Sequence, residues 1–390
     1  MSTEQTTRNI PFFKAIIGEE EIQSVVETLN SGWLTSGPKV KQFETEFANF
    51  VGAKHAIAVN SATAALHLAL EAHGIGRGDK VLVPTLTFAA TAEVVIHLGA
   101  TPVLVDINPA TFNICAEDIR AKICADTKAI MPVHYAGQPC NMDVIQDIAR
   151  EHDIPVIEDA AHAFPAQWKG NMIGSIGQVT CFSFYANKTI TTGEGGMITT
   201  ENDELAARMK QMSLHGLSRD AWNRFSAKGS WRYEIQAPGY KYNMPDVAAA
   251  IGLGQLHQAD KFHSGRKSAA LRYIEAFKDF DFIETLTIEK HASHAWHLMV
   301  IKLNLIKLNI DRSDFIVELN EAGVGTSVHY TPLHLHPLYQ NEYGYSPADL
   351  PVASRVFEQI ISLPLYPSMS TDEIDYVVAT VKRIANDNAK

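Results

Sequence analysis

Between residues 55 and 200, short apolar runs alternate with stretches whose apolar residues recur at helical spacing. This alternation predicts a mostly parallel sheet covered by helices on both faces, since parallel strands need long crossover connections. We predict strands at 55–60, 80–87, 101–107, 128–135, 155–161, 181–185 and 195–200, with helices at 61–74, 88–99 and 141–153.

The pattern changes near residue 260. Strand-like 294–304 is followed by helix-like 313–323 and strand-like 326–331, and a capping box, Ser370 to Glu373, precedes a final amphipathic helix. We therefore predict two domains: a large α/β domain over 1–260, which includes an N-terminal helical segment, and a smaller α+β domain over 261–390.

The composition argues against several classes of protein. The formal net charge is −11, without a basic cluster of the kind that binds nucleic acid. The four cysteines lack the spacing of a zinc ribbon or a disulfide framework, and no apolar run approaches the roughly 20 residues of a membrane helix. The start of the chain does not resemble a secretory signal. We expect a soluble, cytoplasmic protein without nucleic-acid or membrane partners.

Polar residues follow several predicted strands, and ligands of open α/β sheets bind at the carboxyl ends of strands. Ser61, Ala62 and Thr63 open a helix, where free amides and hydroxyls suit a phosphate, although Ser61 also fits an ordinary N-cap. Asp159 ends a strand and could hold a cation, or else form a helix cap or a buried ion pair. Lys188 precedes a glycine-rich turn, where it could approach a cofactor or lie in solvent.

Phe88 follows a further strand and could cover a flat ring or simply pack in the core. Each of these signals is weak alone. Together they supply a phosphate cradle, an aromatic cover, an anion and an amine, which is what pyridoxal 5′-phosphate (PLP) requires.

Three longer motifs carry a family resemblance: EDAAHA (158–163), SFYANKTITTGEGGMITT (183–200) and PGYKYNMPDVAAAIGL (238–253). With the openings at 32–44, 60–70 and 78–92 and the segment 327–339, the chain resembles the DegT/DnrJ/EryC1/StrS sugar aminotransferases over nearly its whole length. The resemblance implies PLP-dependent fold type I, with a seven-stranded type of sheet, and a homodimer with shared active sites.

The resemblance also implies residue roles. Lys188 would form the Schiff base with PLP, and Asp159 would pair with the pyridine nitrogen. The phosphate would be bound by Ser61, Ala62, Thr63 and Ser183. The remaining cofactor contacts would be Phe88 stacked on the ring, His162 near the 3-hydroxyl, and Asn243 reaching the phosphate in the neighbouring subunit.

The implied activity moves an amino group, usually from L-glutamate, to a keto or aldehyde sugar for cell-surface polysaccharide or lipopolysaccharide biosynthesis. Candidate substrate residues are His329, Tyr330 and Arg219. Arg219 opens a basic, tryptophan-containing stretch (219–232) that could contact an anionic substrate or form a solvated loop.

Other functions are weighed against this one. Dehydratases of the family carry histidine in place of the lysine, so Lys188 favours transamination. A sugar-sensing regulator would need a basic DNA-binding extension, which this acidic chain lacks. Two histidine groups, at 291–297 and 329–336, lack acidic or cysteine partners at ligand spacing, so we predict no metal.

Overall fold

The computed structural model describes residues 8–218 and 234–390. The helices that it describes are α1 (Glu19–Ser31), α2 (Pro38–Val51), α3 (Ala62–Ala72), α4 (Ala90–His97), α5 (Ala116–Lys122), α6 (Met142–Glu151), α7 (Asp203–Met212), α8 (Asp246–His257), α9 (Ala259–Phe277), α10 (Arg312–Glu321), α11 (Pro337–Tyr343), α12 (Pro351–Phe357) and α13 (Thr371–Asp387).

The strands within the described ranges alternate with these helices over the first half of the chain. They are β1 (His55–Val59), β2 (Lys80–Pro84), β3 (Thr101–Val105), β4 (Thr127–Ile130), β5 (Ile157–Asp159), β6 (Gln167–Trp168), β7 (Asn171–Met172), β8 (Val179–Ser183), β9 (Gly196–Thr200), β10 (Ile283–Thr285), β11 (Ala292–Ser293), β12 (Met299–Leu303) and β13 (Ile360–Leu363).

The large sheet has the strand order β3-β2-β4-β5-β8-β9-β1. Ladders join β3-β2-β4 and β5-β8-β9-β1, and two isolated parallel bridges, Ile130 to Val156 and Val133 to Asp159, join the halves. Its pairs are parallel except those of β9, which runs antiparallel to both β8 and β1. The predicted α/β class, with a mostly parallel seven-stranded sheet, is confirmed.

Side chains alternate between the two faces of this sheet. In β2, Val81 and Val83 join the core beneath α3, α4 and α7, whereas Leu82 joins the core beneath α2, α6 and α8. Because both faces are covered, the strand reads as a continuous apolar run rather than an alternating one. This burial on both faces explains why the strand could be predicted from a short apolar run.

A smaller antiparallel sheet, β10-β12-β13, packs against α9, α10 and α13. The predicted capping box is present: the Ser370 side chain accepts the amide hydrogen of Glu373 at the start of α13. Ile10 also joins this core, since it is buried and bridges Val324. The division of the chain at residue 260 stays a prediction.

The predicted strand at 326–331 was wrong, and several others are shorter than predicted; for example, β4 ends at Ile130 rather than at 135, and β2 ends at Pro84 rather than at 87. Residues 326–331 form no ladder, only a single bridge between Ser327 and Ser362, and Pro332 has no amide hydrogen for one. The strand predicted at 294–304 begins only at Met299, because Trp296 has a φ of 56° and the preceding backbone bonds to Ala136 and Gly137. No helix in the described ranges is long and apolar enough to span a membrane.

Candidate active site

A cavity of about 420 Å³ opens at the carboxyl ends of β1, β2, β5 and β8. Its size is typical of a site for a small ligand. Most of the predicted site residues line it: Ser61, Ala62, Thr63, Phe88, Asp159, His162, Ser183, Lys188, His329 and Tyr330.

Lys188 lies in the turn after β8, with its amide hydrogen bonded to the carbonyl of Tyr185 at 2.9 Å. Burial lowers the pKa of its amine to about 8, and the nearby charge of Arg266 acts in the same direction. The carboxylate of Asp159 opposes this shift. The amine is therefore largely neutral not far above physiological pH, as a proton-transfer group requires.

Asp159 ends β5, and its two carboxylate oxygens are both hydrogen-bonded. Oδ2 accepts from Thr91 Oγ1 at 2.8 Å, and Oδ1 accepts from the amide of Ala161 at 3.1 Å. Burial nevertheless raises the pKa of this carboxyl. A cation held against it would offset the desolvation and keep the carboxylate ionised.

Glu158, the neighbouring acid, faces the opposite side of the strand, because side chains alternate along it. It is fully buried, and its oxygens meet His134 Nε2 at 2.8 Å and Thr180 Oγ1 at 2.8 Å. Only one acid of the EDAAHA motif therefore reaches the cavity.

The start of α3 forms another wall of the cavity. Ser61 is the N-cap of α3, because its Oγ accepts the amide hydrogen of Ala64 at 3.1 Å. The prediction that Ser61 fits an ordinary N-cap is therefore confirmed. The first amides of a helix have no partner within it and are suited to a phosphate. A Cβ on Gly196 would lie 2.6 Å from the carbonyl carbon of Ser61, so β9 approaches this turn closely.

The opposite wall contains His162, Tyr330 and Phe88. His162 Nε2 and the Tyr330 hydroxyl are 2.9 Å apart, and the rings of Tyr330 and Phe88 lie 5.8 Å apart. Phe88 is 60% exposed, so it borders the cavity rather than the core. Burial and the neighbouring Lys188 hold the pKa of His162 well below its ordinary value, so its ring is neutral.

His329 reaches the cavity from the segment before Pro332. Its Nδ1 lies 2.9 Å from Ser362 Oγ, and its ring stacks on Phe12 at 5.5 Å. Burial lowers its pKa to about 4, helped by the charge of Lys188. The residue therefore presents a neutral ring.

One predicted cofactor residue, Asn243, does not line this cavity, and one predicted substrate residue, Arg219, cannot be placed. Asn243 bridges Val59 through its backbone and donates from Nδ2 to Ser36 Oγ at 2.8 Å, outside the residues that line the cavity. Arg219 and the rest of the basic stretch lie outside the described residues.

Several contributors were missed by sequence reasoning. Thr91 donates to Asp159, and its own hydroxyl lies 2.8 Å from that of Thr87. His297 Nε2 lies 3.5 Å from Lys188 Nζ. The signal for Thr91 was available, since it is one helical turn after Phe88 at the same strand end.

Two other histidines of the predicted groups form hydrogen bonds away from the lysine. His334 lies 2.7 Å from both Thr85 Oγ1 and Ser354 Oγ, and His294 Nδ1 accepts the amide hydrogen of Trp296. Over residues 8–218 and 234–390, no group of three or more histidine, cysteine or acidic side chains is arranged to hold a metal ion.

The cavity fits PLP in its donor set as well as its size. Two buried polar atoms that border it, His162 Nδ1 and Asn187 Oδ1, have no hydrogen-bond partner in the described structure. Buried polar groups are rarely left unpaired, so a polar ligand is expected there. With an amine, a carboxylate and a helix N-terminus on the walls, the residues present suit the cofactor.

The family model described as the DegT/DnrJ/EryC1/StrS aminotransferase family matches residues 15–382. The chain belongs to this family. It is a PLP-dependent sugar aminotransferase, as the resemblance in the sequence implied.

Individual members of the DegT/DnrJ/EryC1/StrS family are similar over nearly their full length. The spore coat polysaccharide biosynthesis protein SpsC of Bacillus subtilis (strain 168) is 51% identical, covering 96% of this chain and 97% of its own. The PLP-form structure of Spr1654 from Streptococcus pneumoniae has a TM-score of 0.91 and 36% identity, covering 97% of this chain and 99% of its own. PseC of Helicobacter pylori, an aminotransferase involved in the biosynthesis of pseudoaminic acid, has a TM-score of 0.91 and 28% identity, covering 97% and 100%.

Proposed function

We propose that this enzyme transfers an amino group from L-glutamate to a keto or aldehyde sugar, using Lys188 to carry PLP. The observation that supports the assignment most strongly is that Lys188 and Asp159 line one cavity, together with the start of α3. Lysine at this position, rather than histidine, favours transamination over dehydration.

The other residues would hold and orient the cofactor. Asp159 would pair with the pyridine nitrogen, Phe88 would cover the ring, and His162 would lie near the 3-hydroxyl. The phosphate would be held by Ser61, Ala62, Thr63 and Ser183. Bound PLP supplies an electron sink for the charge left on a substrate carbon.

Lys188 would then move the protons. Its lowered pKa leaves Nζ able to accept a proton from the substrate carbon near neutral pH and to return it in the second half of the reaction. Asp159 would keep the proton on the pyridine nitrogen, because the buried carboxylate is stabilised by a cation beside it. His329 and Tyr330 would contact the sugar, with Arg219 as a further substrate contact.

A homodimer with shared active sites would complete this arrangement. Ile22, Val26 and Leu29 form an exposed apolar face on α1, each more than 40% exposed, and Leu34 follows at 50%. A second copy of this chain would cover that face. Asn243 lies outside the cavity of its own chain, which fits a role at the cofactor phosphate of the partner.

The relatives support a biosynthetic role for the aminated sugar. SpsC acts in spore coat polysaccharide biosynthesis and PseC in pseudoaminic acid biosynthesis, so we assign this enzyme to cell-surface polysaccharide or lipopolysaccharide biosynthesis. A cytoplasmic location agrees with the four cysteines, all of which are free thiols.

Borohydride reduction of the holoenzyme, followed by peptide mass spectrometry, tests the role of Lys188. We expect the reduced cofactor on the peptide that contains Lys188, none in Lys188→Ala, and a loss of turnover of at least about a thousandfold. Cofactor found on another lysine, or normal turnover in the variant, would contradict the assignment. Mixing the holoenzyme with glutamate tests the donor, because conversion to the pyridoxamine form is visible by absorbance.

A further inference from the structure

One buried histidine contacts the proposed catalytic lysine without having any part in the function derived above. His297 lies just before β12, is 4% exposed, and has its Nε2 3.5 Å from Lys188 Nζ. This separation is at the outer limit of a hydrogen bond and shortens with a small movement of the long lysine side chain.

The position of His297 is fixed from several sides. Its amide donates to the carbonyl of Ala136 at 3.1 Å, and its own carbonyl accepts from Arg266 at 3.3 Å. Its ring lies 4.4 Å from the ring of His162. A Cβ on Gly137 would come within 2.8 Å of the His162 carbonyl oxygen and 3.1 Å of the His297 amide, so the absence of a side chain there permits this packing.

The protonation of His297 is also determined. Burial, together with the charge of Lys188, holds its pKa well below the ordinary value, so the ring is neutral. A neutral imidazole has one donor and one acceptor nitrogen. Because Nε2 faces an ammonium group when Lys188 is protonated, Nε2 is the acceptor and Nδ1 carries the hydrogen. Nδ1 is buried with no partner in the described residues, so no contact on that side opposes this tautomer.

We propose that His297 is a positioning residue that accepts a hydrogen bond from the free amine of Lys188 and directs that amine towards the substrate carbon. The inference rests on the proposed role of Lys188. When that amine is not bonded to the cofactor, the flexible side chain has many rotamers, and a fixed acceptor reduces them to those that reach the cavity.

The other charged and titratable groups around Lys188 do not compete with His297 as a neutral acceptor for its amine. Asp159 contributes its charge from the cavity, and Arg266, a buried cation, repels the ammonium. The remaining titratable groups that line the cavity with the lysine are His162, Tyr185, Glu194, His329 and Tyr330. His162 is engaged with Tyr330 and His329 with Ser362.

The test measures the protonation of Lys188 directly, without turnover. The full-length protein freed of PLP is labelled by reductive methylation over a range of pH, and the extent at Lys188 is quantified by mass spectrometry. The variants are His297→Phe, which keeps a ring but has no acceptor, and His297→Gln, which keeps an acceptor oxygen. His294→Gln is the matched control, because His294 is equally buried but contacts Trp296 rather than the lysine.

We expect the labelling of Lys188 to reach half of its maximum near pH 8 in the unmodified protein. In His297→Phe the ammonium loses its acceptor, so the midpoint falls by about one pH unit. Well above pH 8 the amine is neutral in both proteins, and there the single-turnover rate with glutamate falls roughly tenfold because the amine is no longer held towards the substrate carbon. His297→Gln should restore most of both, and His294→Gln should leave the midpoint unchanged.

An unchanged midpoint and rate in His297→Phe would overturn the proposal, as would an equal effect of the Phe and Gln variants, which would indicate a role in packing alone. If His297→Phe does not fold, as judged by circular dichroism, His297→Leu takes its place. The outcome is separable from the assignment of Lys188, since the borohydride experiment can succeed whether or not His297 affects the midpoint.

Discussion

At the scale of single residues, Asp159 illustrates how neighbouring hydrogen-bond donors tune a charged group of the cavity. Thr91 and the amide of Ala161 each donate to one of its oxygens. Hydrogen bonds to the ionised form counteract the burial that favours the neutral acid. The carboxylate is thereby fixed in orientation and biased towards the charge that a pyridinium requires.

Replacing Thr91 should weaken that bias. In Thr91→Val the side chain at position 91 keeps its shape but loses the hydroxyl that donates to Asp159. The pKa of Asp159 therefore rises further. We expect kcat to fall about tenfold, in keeping with the loss of one hydrogen bond to a charged group. Thr91→Ser, which retains the hydroxyl, is the control. Steady-state kinetics that show equal rates for the Val and Ser variants would contradict this account.

The pKa of Lys188 has a consequence for the pH dependence of turnover. Its neutral form accepts the proton, and its pKa of about 8 means that this form is lost as the pH falls. We expect kcat to decrease nearly tenfold per pH unit below that value and to level off above it. A pH profile of kcat that is flat between pH 6 and 8 would show that this amine does not limit the reaction.

At the scale of elements, the approach of β9 to the start of α3 shapes the proposed phosphate site. Because β9 runs antiparallel between β8 and β1, its first residue, Gly196, meets the backbone of Ser61 and Ala62. These neighbours are main-chain atoms that cannot rotate away. The helix N-terminus can therefore be placed here only if the strand begins without a side chain.

Gly196→Ala tests this packing. The new Cβ would lie 2.6 Å from Ser61 and 2.8 Å from the amide nitrogen of Ala62, so we expect the helix to shift and PLP to bind at least tenfold more weakly. Equilibrium dialysis of the cofactor is the measurement. Gly76→Ala is the control, since its nearest neighbour would be 3.9 Å away. Equal affinity in both variants would mean that the contact is easily relieved.

At the scale of the whole molecule, the exposed face of α1 supports the proposed homodimer. Val26 and Leu29 are 43% and 53% exposed on a helix whose other side packs on α8, and clustered apolar exposure marks interaction surfaces.

The double variant Val26→Asp/Leu29→Asp should therefore yield monomers that are still folded, because neither side chain contributes to the core. Analytical ultracentrifugation would report the mass, and we expect activity to fall in parallel. Val317→Asp, a similarly exposed position on α10, is the control. A dimer that persists at micromolar concentration would exclude this face as the interface.

The sequence was sufficient for much of this fold because the strands of the large sheet are buried on both faces and separated by regular helices. It also identified the polar residues at the strand ends, which parallel topology brings to one edge. It could not reveal His297 beside Lys188 or Tyr330 beside His162. Those contacts join segments far apart in the chain, and they depend on irregular backbone at 294–298 and 326–331 that has no periodic signature.

The bridge between Ile10 and Val324 affects how the chain acquires its structure during synthesis. Domains near the N-terminus usually fold first as the ribosome extends the chain. Here Ile10 and Phe12 find their backbone partners, Gly323 and Leu365, only after those much later residues have been synthesised. Residues 10–12 can thus take their final places only late in synthesis, and until then their apolar side chains remain uncovered.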